Sequence, residues 1–116
     1  MANQDIVKIN MGKYKRVCNV DTPFWEDLYK YYENPSKMNL AEYNLICSKR
    51  DITLWTKRGM KPNSTWRVTD LKKYFNIQGT KESLLIDFME VYDEYHLLKK
   101  EILNVSKQKK QIQLTN

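Results

Sequence analysis

Between Lys49 and Lys81 the chain carries nine basic side chains: Lys49, Arg50, Lys57, Arg58, Lys61, Arg67, Lys72, Lys73 and Lys81. Only two acids, Asp51 and Asp70, lie among them, so the block is +7 where the whole chain is +6. Trp55, Trp66, Tyr74 and Phe75 are interleaved with the cations. Ammonium and guanidinium groups neutralise phosphates and flat rings stack on bases, so this pairing suits nucleic acid. The residues expected to do this are Arg58, Lys61, Arg67, Lys72, Lys73 and Lys81 on phosphates, with Trp66 or Trp55 stacking on a base. The competing expectation buries both indoles and leaves the lysines solvated, since Trp is mostly buried in folded proteins. The acidic stretch that follows, residues 82–98, is a candidate internal neutraliser of the block.

Catalytic chemistry is poorly represented. His96 is the only histidine and sits among Tyr and Leu residues. Cys18 and Cys47 are far apart and, with one histidine, make no recognisable zinc spacing. Gly12, Gly59 and Gly79 form no phosphate-binding loop. The expectation is a non-enzymatic protein with no cofactor and no metal. Residues 1–10 are polar and alternating rather than a leader-like apolar run, so reduced thiols in a cytoplasmic setting are expected. The apolar run Leu84-Leu85-Ile86 stops at Asp87, far short of a membrane span, so no membrane partner is expected.

The elements that must position the basic block read as mainly helical, in an α+β arrangement of four to five helices with one small N-terminal β-hairpin. The 116 residues, 41% apolar and 29% charged, suit one soluble domain over residues 1–106 with a polar, fraying tail at 107–116. The hairpin is expected over residues 5–20. Val7, Ile9 and Met11 alternate with polar residues, Gly12 serves the turn, and 14–20 return.

Thr22 and Pro23 then open a helix that buries Phe24, Leu28 and either Tyr31 or Tyr32, and Asn34-Pro35-Ser36 ends it. Asn39 and Glu42 have cap-to-third-turn-residue spacing for a helix from Leu40 toward Arg58, with Leu40, Tyr43, Cys47 and Leu54 on the buried face and Ile46 beside it. A break near Arg50 and Asp51, with Ser48 or Asp51 capping a second helix, is an equal alternative. Gly59 is a stop signal. Thr69 is expected to cap a short helix to Phe75, and Thr80 the last one.

That last helix is the spine. Leu84, Phe88, Val91, Tyr95, Leu98, Ile102 and Val105 recur at alternating steps of four and three, a heptad seam. The seam is expected to be core up to Tyr95. Beyond it, Leu98, Ile102 and Val105 are candidates for a homodimer contact. The short helix, turn and spine also outline a helix-turn-helix, but Glu82, Asp87, Glu90, Asp93 and Glu94 would repel phosphate along the groove. The start of the spine, with Lys81, Gly79, Lys72 and Lys73, is the better phosphate cradle, and an ordinary capped hairpin the plainer alternative.

Two resemblances rest on these residues. The segments Gly59-Met60-Lys61-Pro62, Trp66-Arg67-Val68-Thr69-Asp70-Leu71-Lys72-Lys73-Tyr74-Phe75 and Ile77-Gln78-Gly79 resemble small uncharacterised proteins of phages infecting marine cyanobacteria. That resemblance implies an accessory protein acting in the cytoplasm of a bacterial host. Residues 71–88 also resemble a SAP-type DNA-binding hairpin, with a shorter connection than that family uses. The function expected is a DNA-binding or RNA-binding regulatory protein. The alternative is a module that docks on a host protein through exposed aromatics or the C-terminal helix.

Overall fold

The computed structural model describes residues 11–35 and 38–115, with side chains at 13–35 and 38–104. A single 3-10 turn, Met11–Tyr14, precedes four α-helices: α1 Pro23–Glu33, α2 Leu40–Arg58, α3 Val68–Phe75 and α4 Lys81–Thr115. No strand occurs among the described residues. The expected return strand of the hairpin, 14–20, is instead a run of turns, and its first strand lies almost wholly outside the described residues.

Local signals set the helix ends. The Trp25 N–H donates to Thr22 Oγ1 at 3.2 Å, and Pro23 occupies the first turn of α1. The Glu42 N–H donates to Asn39 Oδ1 at 3.0 Å, starting α2, which runs unbroken through Arg50 and Asp51. Gly59 ends it at φ 65°, a left-handed conformation that costs glycine little. Two expected caps are corrected. α3 begins one residue before Thr69, with Arg67 at the cap and no side-chain bond. At α4 the working hydroxyl is that of Ser83, not Thr80: it accepts from the Thr80 N–H and donates to the Thr80 carbonyl, both at 3.0 Å. Gly79 is held against this turn, where a Cβ would lie 2.6 Å from Ser83 Oγ.

α4 is 35 residues long, about 52 Å at helical rise, and lies along the 57 Å long axis of the molecule. Its helical backbone continues to Thr115, past the residue where the polar tail was expected to begin. Leu84, Phe88, Val91, Tyr95, Leu98 and Ile102 are all buried, so the seam is core through Ile102. α2 lies antiparallel on one flank of α4. The Glu42 carboxylate pairs with Lys99, the Lys49 ammonium sits 4.6 Å from the Tyr92 ring centre, and Thr56 Oγ1 donates to the Lys81 carbonyl at 3.5 Å.

The buried face of α2 is not the expected one. Ala41, Leu45 and Ile52 are in the core, while Leu40, Tyr43 and Ile46 are among the most exposed apolar side chains. The helix carries two apolar stripes on different sides, and α4 took the one made of smaller residues. Phe24 of α1 closes the core, with its ring centre 5.1 Å from Phe75 and 5.9 Å from Tyr95. In α1 it is Tyr32, not Tyr31, that is buried.

Candidate nucleic-acid interface

Four acids of α4 face the N-terminal segment, while Glu82 lies beside Lys57 of the basic block. Glu94 Oε1 accepts the backbone N–H groups of Arg16 and Val17, both at 2.9 Å. The Arg16 guanidinium pairs with Asp87 and, at 2.8 Å, with Glu90. The Tyr14 hydroxyl donates to Glu101. At a step of about 100° per residue, Asp87, Glu90, Glu94 and Glu101 form one stripe flanking the buried seam, and residues 14–17 lie along it. Burial and then the Glu101 carboxylate push the Tyr14 hydroxyl up to about 12. Burial, reinforced by Glu94, pushes the Cys18 thiol up to about 12.

Across the molecule, Lys57, Arg58, Lys61, Arg67, Lys72, Lys73 and Lys81 pair with no carboxylate among the described residues. Arg50 is the exception in its block, donating from Nε to Asp51 Oδ1 at 3.0 Å. Asp87, Glu90, Glu94 and Glu101 are engaged with residues 14–17, while Asp51 and Asp70 share a cleft with Arg67, and Glu82 a pocket with Lys57, without forming an ion pair to either.

The candidate residues are gathered at one end of the molecule but not on one plane. Arg58 closes the last turn of α2, and Lys61 follows in the connector. The connector then returns Trp66 onto Trp55, with ring centres 5.9 Å apart and planes tilted by 51°. Both indoles are half-buried. Arg67 and Trp66 line a cleft of about 360 Å³ between α2 and α3, together with Asp51, Asp70 and Tyr74. Inside it, Asn44 Nδ2 donates to the Tyr74 hydroxyl at 3.1 Å, which donates to Asp27 Oδ2 at 2.7 Å. Burial raises the pKa of Tyr74, which keeps that donor protonated. Lys72 falls on the flank of α3 away from this cleft, and Lys73 points outward from the buried Leu71 and Phe75. Lys81 stands across from Thr56, with φ at 44°, a left-handed value that is uncommon for lysine.

Around the start of α4 the Gln78 N–H donates to Asp87 Oδ2 at 2.9 Å, the Thr80 N–H to Ser83 Oγ at 3.0 Å, and the Ser83 N–H to the Thr80 carbonyl at 3.1 Å. One expected feature is altered. Leu98 and Ile102, candidates for a dimer contact, are 0% and 7% exposed and belong to the monomer core. The Val105 side chain lies outside those described. Sequence reasoning missed Arg16, whose charge organises the acidic stripe; its signal was a lone arginine in a segment read as a strand. Among the described residues no group of three His, Cys, Asp or Glu side chains gathers as a metal site, and no helix is long and apolar enough to cross a membrane.

No family model, no curated protein and no solved structure matches this chain.

Proposed function

We propose that the chain is a non-enzymatic nucleic-acid-binding protein, acting as a phage accessory regulator in a host cytoplasm. The end formed by the last turns of α2, the connector and α3 grips phosphates. Arg58, Lys61, Arg67, Lys73 and Lys81 supply the charge, Lys72 adds to it from the other flank of α3, and the half-buried Trp66 ring offers one stacking surface. The observation that carries the reading is that these cations form no ion pair among the described residues, while Asp87, Glu90 and Glu94 of α4 are bound to residues 14–17. Contacts of this kind are read mainly as charge, so binding is weakly sequence-specific and steeply salt-dependent.

Fluorescence anisotropy with labelled single-stranded and duplex oligonucleotides, at low and raised salt, tests this. Binding at low salt that weakens at least about tenfold on a fourfold rise in salt is expected for several phosphate contacts. Absence of binding to either strand form at low salt removes the reading.

A second reading, a module that docks on a host protein, is favoured by one observation. Tyr43 and Ile46 stand 56% and 54% exposed on the outer side of α2. Capture of a host protein that survives nuclease treatment would support it over the first.

A further inference from the structure

Two helix faces of this molecule lack a partner, and they are complementary. The first is the outer side of α2. It forms a groove of about 530 Å³ floored by Ile46 and Leu54 and walled by Lys49, Arg50, Lys57 and Arg58. Tyr43 continues it toward the start of the helix, 56% exposed. The second is the outer side of α4. Ile86 and Leu97 are 64% and 60% exposed there, and Glu82 and Asp93 stand beside them in solvent. Neither of those acids forms an ion pair among the described residues. One face is apolar and cationic, the other apolar and anionic.

Their spacings also match. Ile46 to Lys57 and Ile86 to Leu97 are both eleven-residue steps. Laid antiparallel with Ile46 on Leu97, the faces bring Arg50 to Asp93, Leu54 to Met89 and Tyr43 to Lys100. The stem of Lys57 then covers Ile86, and its ammonium reaches toward Glu82 one turn beyond. The other pairings are apolar on apolar, cation on anion or cation beside an aromatic face, and the antiparallel sense also opposes the helix dipoles. We propose that a second copy of this chain docks its α4 outer face into the α2 groove. The two faces adjoin on one side of the molecule, where Lys57 of α2 and Glu82 and Ile86 of α4 line one pocket, so two copies can make the contact twice about a two-fold axis and close as a dimer. The contact is two helix pairs with no further element, so it is weak and populated at high protein concentration. The proposal is independent of the nucleic-acid reading, sharing with it only Arg58 at the rim of the groove.

The test uses the full chain, treated with nuclease, in sedimentation velocity over a wide concentration range at low and high salt. The mass should rise from 14.0 kDa toward that of a dimer as concentration increases, with at least a tenfold weakening at high salt. Two charge-reversed variants follow, Arg50→Glu with Lys57→Glu, and Glu82→Lys with Asp93→Lys. Circular dichroism checks that both fold, as substitutions at solvent-facing helix positions should. Each alone should remain monomeric, because its two faces now carry the same sign. Mixed in equal amounts they should associate again, since one variant's acidic groove meets the other's basic α4. A constant 14.0 kDa for the parent chain overturns the proposal. So does association that ignores either reversal, a mixture that stays monomeric, or a multimer that disappears on nuclease treatment.

Discussion

The acidic flank of α4 and the basic end of the molecule make opposite use of charge. On the flank, four carboxylates are bound: Glu94 to two backbone N–H groups, Asp87 and Glu90 to Arg16, and Glu101 to Tyr14. These bonds fasten a segment that has little regular structure of its own. At the other end the cations have no such partners, and the helices there are held by apolar burial through Leu71, Phe75 and Ile77. Charge is therefore structural on one side and available on the other. Substitutions on the flank should change stability and leave binding alone, and substitutions at the basic end should do the reverse.

The strongest test of that contrast is Glu94→Ala. It strips the acceptor from two N–H groups, one of them on fully buried Val17, and should lower unfolding free energy by about 2–3 kcal/mol in a denaturant titration. Glu94→Gln, which keeps an acceptor, should lose less. At the basic end, replacing Arg58, Arg67, Lys73 and Lys81 together by Gln should weaken oligonucleotide binding more than about tenfold, or 1.4 kcal/mol. It should flatten the salt dependence by about 0.9 in log–log slope for each phosphate that is no longer neutralised. The same variant should unfold within about 0.5 kcal/mol of the parent. A large stability change there, or unchanged binding, would erase the contrast.

Alkaline pH probes the flank from another direction. The Tyr14 hydroxyl titrates at about 12 folded against 10.0 in its unperturbed state. The folded chain holds that proton more tightly, so this contribution to stability is complete below the lower value and is lost as pH rises toward the upper one. Tyr14→Phe should show a shallower alkaline loss in denaturation measured across that window. The smallest effect is expected at Lys49, the one cation of the block seated on a ring of α4. Lys49→Met should cost about 0.5 kcal/mol, with binding unchanged because its ammonium is on the α4 side.

What the sequence made legible was local. The caps at Thr22 and Asn39, the stop at Gly59 and the buried seam of α4 depend on residues within a turn or two of each other, and all are present. The hairpin misled because the alternation of Val7, Ile9 and Met11 was extended to a return segment that α4 instead holds against its acids. The wrong face of α2 was favoured because Leu40, Tyr43 and Ile46 outweigh Ala41, Leu45 and Ile52 in apolar bulk, and only the position of α4 decides between the stripes. The candidate site was half legible. Its composition is plain in the chain, but whether its cations remain unpaired depends on bonds between residues 74 to 87 positions apart, as from Arg16 to Glu90 and Tyr14 to Glu101. No window along the chain contains that information.

The bond from Tyr14 to Glu101 joins nearly the first and nearly the last of the described side chains. During vectorial synthesis the early segment therefore has nothing to rest on until α4 has been made. Helices α1 and α2 can form as they leave the ribosome, but Val17 stays wet until Glu94 and its neighbours emerge. A nascent chain halted before α4 would display Tyr14, Phe24 and Leu28 uncovered.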